Sequence, residues 1–106
     1  MIRAVFFKRD GHLSGFSVSG HSGLGTQGND ICCASVSSAA ELVVNTITDF
    51  FGCEADVSVL ENELVLELKS SHEGAVKLLD SFKVHLGFIA EEFPRGIKIS
   101  ERVINE

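Results

Sequence analysis

The order of hydrophobic patterns constrains the fold of this chain more than any other feature. Residues 2–8 and 12–19 flank Asp10-Gly11, a dipeptide suited to a tight turn, and the second stretch alternates apolar and polar side chains. This pattern predicts a two-stranded hairpin. A helix is predicted next, because apolar residues then recur at spacings of three and four, up to Gly52. Its apolar stripe comprises Val36, Ala40, Val43, Ile47 and Phe50.

The same arrangement follows a second time. Two alternating stretches surround a turn at Glu61-Asn62 and predict a second hairpin. Ser70 and Glu73 have the spacing of a capping box, and Pro94 predicts the end of the second helix. The alternating residues are Ala55, Val57 and Val59, then Leu64, Leu66 and Leu68; the second helical stripe is Ala75, Leu79, Phe82, Leu86, Ile89 and Phe93; the last strand holds Ile97, Ile99 and Val103.

These elements predict the order ββαββαβ and an α+β fold. We expect a two-layer sandwich with two helices on one face of a mostly antiparallel sheet. A chain of 106 residues is large enough for one core, so residues 1–106 are expected to form a single domain.

Composition narrows the function classes. The formal net charge of -6 argues against direct nucleic-acid binding, which needs a basic face. Three cysteines without C-x-x-C spacing favour a reducing compartment, and we expect a cytoplasmic protein. No apolar run approaches membrane-spanning length, so no membrane contact is expected.

A histidine and two adjacent cysteines flank a glycine-rich segment in front of the first helix. His21 ends the second strand, and Cys32-Cys33 lie in the first helical turns. A thiol at a helix N-terminus, close to an imidazole, has the setting of a nucleophile. The alternative is a buried structural cysteine and a loop histidine. The intervening residues are predicted to form a mobile loop: Ser22, Gly23, Leu24, Gly25, Thr26, Gln27 and Gly28.

The residues alone leave several assignments open. Helical spacing does not decide which of Cys32 and Cys33 faces the histidine. Asn29 or Asp30 is suited to cap the helix, and Asp30 also has the chemistry to orient His21 as a third catalytic member. The N–H groups at the helix start are candidate donors to an oxyanion.

Two ligand hypotheses have weaker support. Residues 23–28 read G-x-G-x-x-G, but the preceding strand belongs to a hairpin and the chain has no room for a dinucleotide fold. A small phosphate- or nucleotide-binding domain remains an alternative, although Asp30 would repel an anion there. No metal site is predicted, because the cysteines and histidines lack ligand spacing, and no cofactor is expected.

The motif resembles that of the ribosomal-processing cysteine protease family, Prp. That family has Gly-His, a glycine-containing loop, and then Gly-x-Asp-Ile-Val-Cys-Ala-x-x-Ser. The matching residues here are Gly20, His21, Gly28, Asp30, Ile31, Cys33, Ala34 and Ser37. Cys32 stands where the family usually has Val, so this alignment assigns the nucleophile to Cys33.

The resemblance implies a cysteine endopeptidase that removes an N-terminal extension from bacterial large-subunit ribosomal protein twenty-seven. It implies Cys33 as the nucleophile and His21 as the general base, with Asp30 and Ser37 in supporting roles. It also implies a homodimer whose mobile loop closes over the peptide. The alternative is a non-catalytic module associated with ribosome assembly.

Overall fold

The computed structural model describes residues 1–23 and 30–104. The elements follow the predicted order ββαββαβ, with a short π-helical segment directly after the first helix. They are β1 (Ile2–Arg9), β2 (His12–Ser19), α1 (Ile31–Asn45), the π-helical segment (Thr46–Phe50), β3 (Ala55–Leu60), β4 (Glu63–Leu68), α2 (Glu73–Glu92) and β5 (Ile97–Val103).

The five strands form one sheet in the order β3-β4-β2-β1-β5. All neighbours are antiparallel except β1 and β5, which run parallel. Ser19 pairs with Arg3 on one side and with Glu63 on the other. The end of β2, the start of β1 and the β3–β4 turn therefore lie at the same end of the sheet.

Both helices cover one face of this sheet, as predicted, and they share a single apolar core. Phe6 and Phe16 project from the sheet onto Phe82 of α2, with ring centroids 5.6 and 4.9 Å away. Edge-to-face contacts of this kind add to the stability gained from burial. The core also contains Val36, Ala40 and Val43 of α1, Ile47 of the π-helical segment, and Ala75, Leu79, Leu86 and Ile89 of α2.

Two predictions about the helices are wrong. His72, and not Ser70, caps α2: its Nδ1 accepts a hydrogen bond of 3.0 Å from the Ala75 N–H. Phe50 is 82% exposed although it continues the predicted apolar stripe. The wider winding of the π-helical segment turns Phe50 away from the sheet.

The second hairpin is less covered than its alternating pattern predicts. In β4, Leu66 and Leu68 are buried, but in β3 Val57 and Val59 are 40% and 74% exposed. Strand β3 is at the edge of the sheet, where it has one neighbouring strand instead of two. The alternation thus predicts the strand correctly and its burial incorrectly.

The helical stretch Ile31–Phe50 corrects one sequence expectation. By length and composition alone, its 20 residues suffice to cross a membrane, with a mean hydropathy of 1.4. One face of this stretch, including Val36 and Ile47, packs in the core between sheet and helices. Its hydrophobicity is therefore used for packing in this fold.

Candidate active site

Three segments meet at one end of the sheet: the residues that follow β2, the N-terminus of α1, and the β3–β4 turn. Gly20 joins the first of these segments to the β3–β4 turn, because its N–H donates to the Asn62 carbonyl at 3.0 Å. Its φ of +85° belongs to the left-handed region, and a Cβ there would lie 2.8 Å from the Met1 carbonyl oxygen. Glycine is required here for both reasons, and it fixes where the chain leaves β2.

Asp30 caps α1 and ties it to the segment after β2. One carboxylate oxygen accepts from the Cys33 N–H at 3.0 Å, and the other accepts from the Ser22 hydroxyl. The Ser22 hydroxyl, followed by the Cys33 N–H, lowers the pKa of Asp30 below its ordinary value of 3.8. Ser22 is itself buried. The carboxylate therefore acts as a charged anchor between the two segments.

The two adjacent cysteines occupy different environments. Cys32 is 1% exposed and lies in the core. Its burial, with a smaller contribution from the Asp30 carboxylate, raises the pKa of the Cys32 thiol above its ordinary value of 9.0. Cys33 is half-buried, and its Sγ accepts a hydrogen bond of 3.2 Å from the Ser22 N–H. Of the two thiols, Cys33 lines the groove and accepts a backbone hydrogen bond at its sulfur, whereas Cys32 is enclosed in the core.

His21 is exposed and directly precedes the residue whose N–H contacts the Cys33 sulfur. Its Nε2 lies 2.9 Å from Oδ1 of Asn62 in the β3–β4 turn. An amide oxygen only accepts hydrogen bonds, so Nε2 carries the proton. Within residues 1–23 and 30–104, no hydrogen bond joins the His21 ring to Cys33.

The remaining sequence-predicted groups take distinct places. Asp30 is the helix cap, but it bonds Ser22 and Cys33 and does not orient His21. Ser37 lies exposed one turn after Cys33 and lines the same groove. The Cys33 and Ala34 N–H groups at the helix start already donate to Asp30, at 3.0 Å each. They are therefore not free to bind an oxyanion in this structure.

An open groove of about 1100 Å³ runs from these residues along α1 to the β3–β4 hairpin. Its apolar wall is formed by Val18, Val44, Val59, Leu60 and Leu64, and its charged lining residues are Asp30, Glu41, Glu61 and Glu63. Among the described lining residues there is no lysine or arginine. The groove is long, apolar in part, and uniformly acidic.

Most of the predicted mobile loop lies outside the described residues, namely Leu24, Gly25, Thr26, Gln27 and Gly28. Of the two described members, Ser22 is buried and hydrogen-bonded, whereas Gly23 lines the groove. In the part of the chain that is described, no group of three or more metal-ligating side chains comes together.

The sequence predicts Ser22 as a member of the mobile loop and Asn62 as a turn residue, and it does not indicate the contacts that either residue makes at this site. These contacts form only in the folded chain. Ser22 is hydrogen-bonded to Asp30 and Cys33, and Asn62 is hydrogen-bonded to His21. The distance of 41 residues between His21 and Asn62 offers no local signal.

A half-buried thiol at a helix N-terminus, with a histidine on the wall of the same open groove, is typical of a thiol-dependent hydrolase. Comparison with known families defines this class more closely. Residues 1–98 match the model of the family described as cysteine protease Prp. The chain belongs to this family, and it is a cysteine protease.

Solved structures show the same fold. A ribosomal processing protease Prp from S. aureus, with a covalently linked product peptide, is 24% identical and has a TM-score of 0.89; the match covers 96% of this chain and 100% of that one. The structure of the same protease with a substrate peptide is 23% identical in sequence and has a TM-score of 0.84. That match covers 96% of this chain and 100% of the S. aureus chain. A Streptococcus mutans protein is 25% identical with a TM-score of 0.83, and the match covers 98% and 99% of the two chains. No curated protein matches the sequence.

Proposed function

We propose that this protein is a cysteine endopeptidase that removes the N-terminal extension of bacterial large-subunit ribosomal protein twenty-seven. Cys33 is the nucleophile and His21 the general base in this proposal. The observation that carries it is the placement of the Cys33 sulfur: half-buried in an open groove, 3.2 Å from a backbone N–H, with His21 on the same groove. Cys32 is buried in the core and has no access to a peptide.

The chemistry proceeds by acyl transfer. His21 takes the proton of the Cys33 thiol, and the thiolate attacks the scissile carbonyl to form a C–S bond. Protonated His21 then donates to the leaving amine as the C–N bond breaks, which leaves a thioester on Cys33. Water, deprotonated by His21, hydrolyses the thioester and restores the thiol.

Asp30 and Ser37 support this reaction without taking part in bond making. Asp30 fixes the start of α1 relative to Ser22, and thereby holds the sulfur against the Ser22 N–H. Ser37 lines the groove one helical turn after Cys33, and in this proposal its hydroxyl binds the peptide backbone.

The shape and charge of the groove favour a basic peptide bound in an extended conformation. Its charged lining residues are all acidic, and N-terminal regions of ribosomal proteins are basic, so charge complementarity favours encounter. The S. aureus ribosomal processing protease has the same fold, and its structures contain a covalently linked product peptide and a substrate peptide. These peptides support a peptide substrate for this protein. A net charge of -6 also supports a protein substrate over direct nucleic-acid binding.

We further propose that residues 1–106 form one catalytic domain that acts in the cytoplasm as a homodimer. Three cysteines with no C-x-x-C spacing support a reducing compartment. Exposed apolar side chains of α2 that do not line the groove, Val84 and Phe88, support association with a second copy. Light scattering of the purified protein tests the dimer: a molar mass of about 11.4 kDa would exclude it.

A paired digestion of the precursor ribosomal protein tests the activity. Wild-type enzyme is expected to make a single N-terminal cut, Cys33→Ala none, and the matched variant Cys32→Ala the same cut as wild type. Intact mass spectrometry of the products locates the bond. If a precursor that carries the extension remains uncut by wild type, the non-catalytic ribosome-assembly module becomes the better account.

A further inference from the structure

We infer that Asn62 is a positioning residue that completes a Cys33–His21–Asn62 arrangement. Its side-chain oxygen accepts a hydrogen bond from the Nε2–H of His21. The proton therefore stays on Nε2, and the lone pair of Nδ1 is available to accept the Cys33 proton. This inference rests on the proposed role of His21 as the general base. It goes beyond that role because it assigns the proton to a ring nitrogen and names the residue that keeps it there.

The first argument is the hydrogen bond itself. The distance from Nε2 of His21 to Oδ1 of Asn62 is 2.9 Å, a normal length for a nitrogen donor and an oxygen acceptor. A neutral imidazole carries one proton, so protonation at Nε2 places the lone pair on Nδ1. No described residue bonds Nδ1, so this nitrogen is free to approach the thiol.

The second argument is that the backbone fixes Asn62 in this place independently of its side chain. The Asn62 carbonyl accepts from the Gly20 N–H at 3.0 Å, so the β3–β4 turn is attached to the residue just before His21. The next residue, Glu63, pairs with Ser19 at the end of β2. Main-chain bonds thus set the distance between ring and amide, and a side-chain substitution leaves them intact.

The third argument comes from the alternative partner. Asp30 is the nearby carboxylate that a catalytic histidine would use as a third member, but its two oxygens are bonded to Ser22 and Cys33. An uncharged amide in its place restrains the ring in the same way. It does so without the extra stabilisation of the imidazolium that a carboxylate would add.

The test compares Asn62→Ala and Asn62→Asp with Ser58→Ala, a control at an exposed position of the same hairpin that does not line the groove. Asn62→Ala is expected to lower kcat about 10- to 100-fold, the usual effect of removing a group that orients a histidine through its distal N–H, with KM within about twofold of wild type. Asn62→Asp keeps the acceptor and is expected to retain most activity. Its carboxylate stabilises protonated His21, so the alkaline limb of the pH–rate profile moves to higher pH. Ser58→Ala should show neither effect.

A second readout does not depend on cleavage. The rate of Cys33 alkylation by iodoacetamide is measured against pH in the same variants and in His21→Ala. Asn62→Ala is expected to move the profile towards that of His21→Ala. Asn62→Asp is expected to move the rise of the profile to lower pH, because a stabilised imidazolium favours the Cys33 thiolate.

The two proposals fail in different ways. If wild type does not cut the precursor, the proposed substrate fails, and the alkylation profiles alone decide the role of Asn62. If wild type cuts but Asn62→Ala matches Ser58→Ala in both kcat and alkylation, the inference is overturned while the protease activity stands. Thermal unfolding accompanies each variant; should Asn62→Ala unfold, Asn62→Asp decides through the position of its alkaline limb.

Discussion

Replacing Gly20 by alanine is expected to damage both stability and activity, and Gly11→Ala provides a matched control. The two glycines have nearly the same backbone conformation, with φ of +85° and +81°. They differ in their surroundings: a Cβ on Gly20 would lie 2.8 Å from the Met1 carbonyl oxygen, whereas a Cβ on Gly11 would meet nothing within 4 Å. The comparison therefore separates backbone strain from steric contact.

The magnitudes follow from these two terms. Left-handed geometry costs an alanine about 1–2 kcal/mol, of which about 0.4–1 kcal/mol is offset by the lower entropy of the unfolded chain. Gly11→Ala should therefore destabilise by about 1 kcal/mol, a fall in Tm of about 4–8 °C for a small domain. At Gly20 the contact with a backbone oxygen adds about 1–3 kcal/mol, the usual cost of overpacking.

The activity of the two variants should diverge further. Relief of the contact at Gly20 moves the residue that precedes His21 and stretches the bond to the Asn62 carbonyl. A displacement of about 1 Å at a catalytic group costs roughly 100-fold in rate. We expect kcat/KM to fall by about that factor in Gly20→Ala and to stay near wild type in Gly11→Ala. Equal Tm and equal kcat/KM in the two variants would refute this reasoning.

Further predictions concern the thiols, the cap and the core. In the folded protein iodoacetamide should modify Cys33 and spare the buried Cys32, which peptide mapping checks; equal labelling would contradict the placement of the two thiols. Because the fold lowers the pKa of Asp30, its ionised form stabilises the protein above pH 3.8, and this contribution is lost as the pH falls through the lower folded-state value. The stability difference between wild type and Asp30→Asn, from denaturant midpoints, should therefore be constant from neutral pH down to about pH 5 and shrink below pH 3.8. Phe82→Ala should cost about 3–5 kcal/mol in the same assay, and the exposed Phe88→Ala much less; similar losses would show that the aromatic cluster is not the centre of the core.

Periodicity predicted the elements because burial follows it wherever a helix covers the sheet. The stripe of α2 from Ala75 to Ile89 is buried as expected. Phe50 and Val59 are exposed although they continue the apolar patterns. Phe50 lies in the π-helical segment and Val59 in the edge strand, and both of these features depend on tertiary context. The cap of α2 was misplaced by two residues because His72 Nδ1 performs the function expected of the Ser70 hydroxyl.

The candidate site was predictable only where the motif is local. His21, Asp30 and Cys33 lie within one short stretch, and spacing in the sequence was enough to nominate them. The choice of Cys33 over Cys32 needed the family resemblance at the sequence level, and the structure supports it by burying Cys32. Asn62 approaches His21 only through the pairing of β4 with β2, which no local pattern encodes.

The most direct test of the central claim is to trap the acyl-transfer nucleophile. A peptide chloromethyl ketone carrying the sequence before the scissile bond of the ribosomal extension would be incubated with wild type, Cys33→Ala and Cys32→Ala. Intact mass and peptide mapping then identify the alkylated residue. The account predicts one adduct on Cys33, present in Cys32→Ala and absent in Cys33→Ala. An adduct on Cys32 or Cys53, or cleavage activity that survives Cys33→Ala, would contradict it.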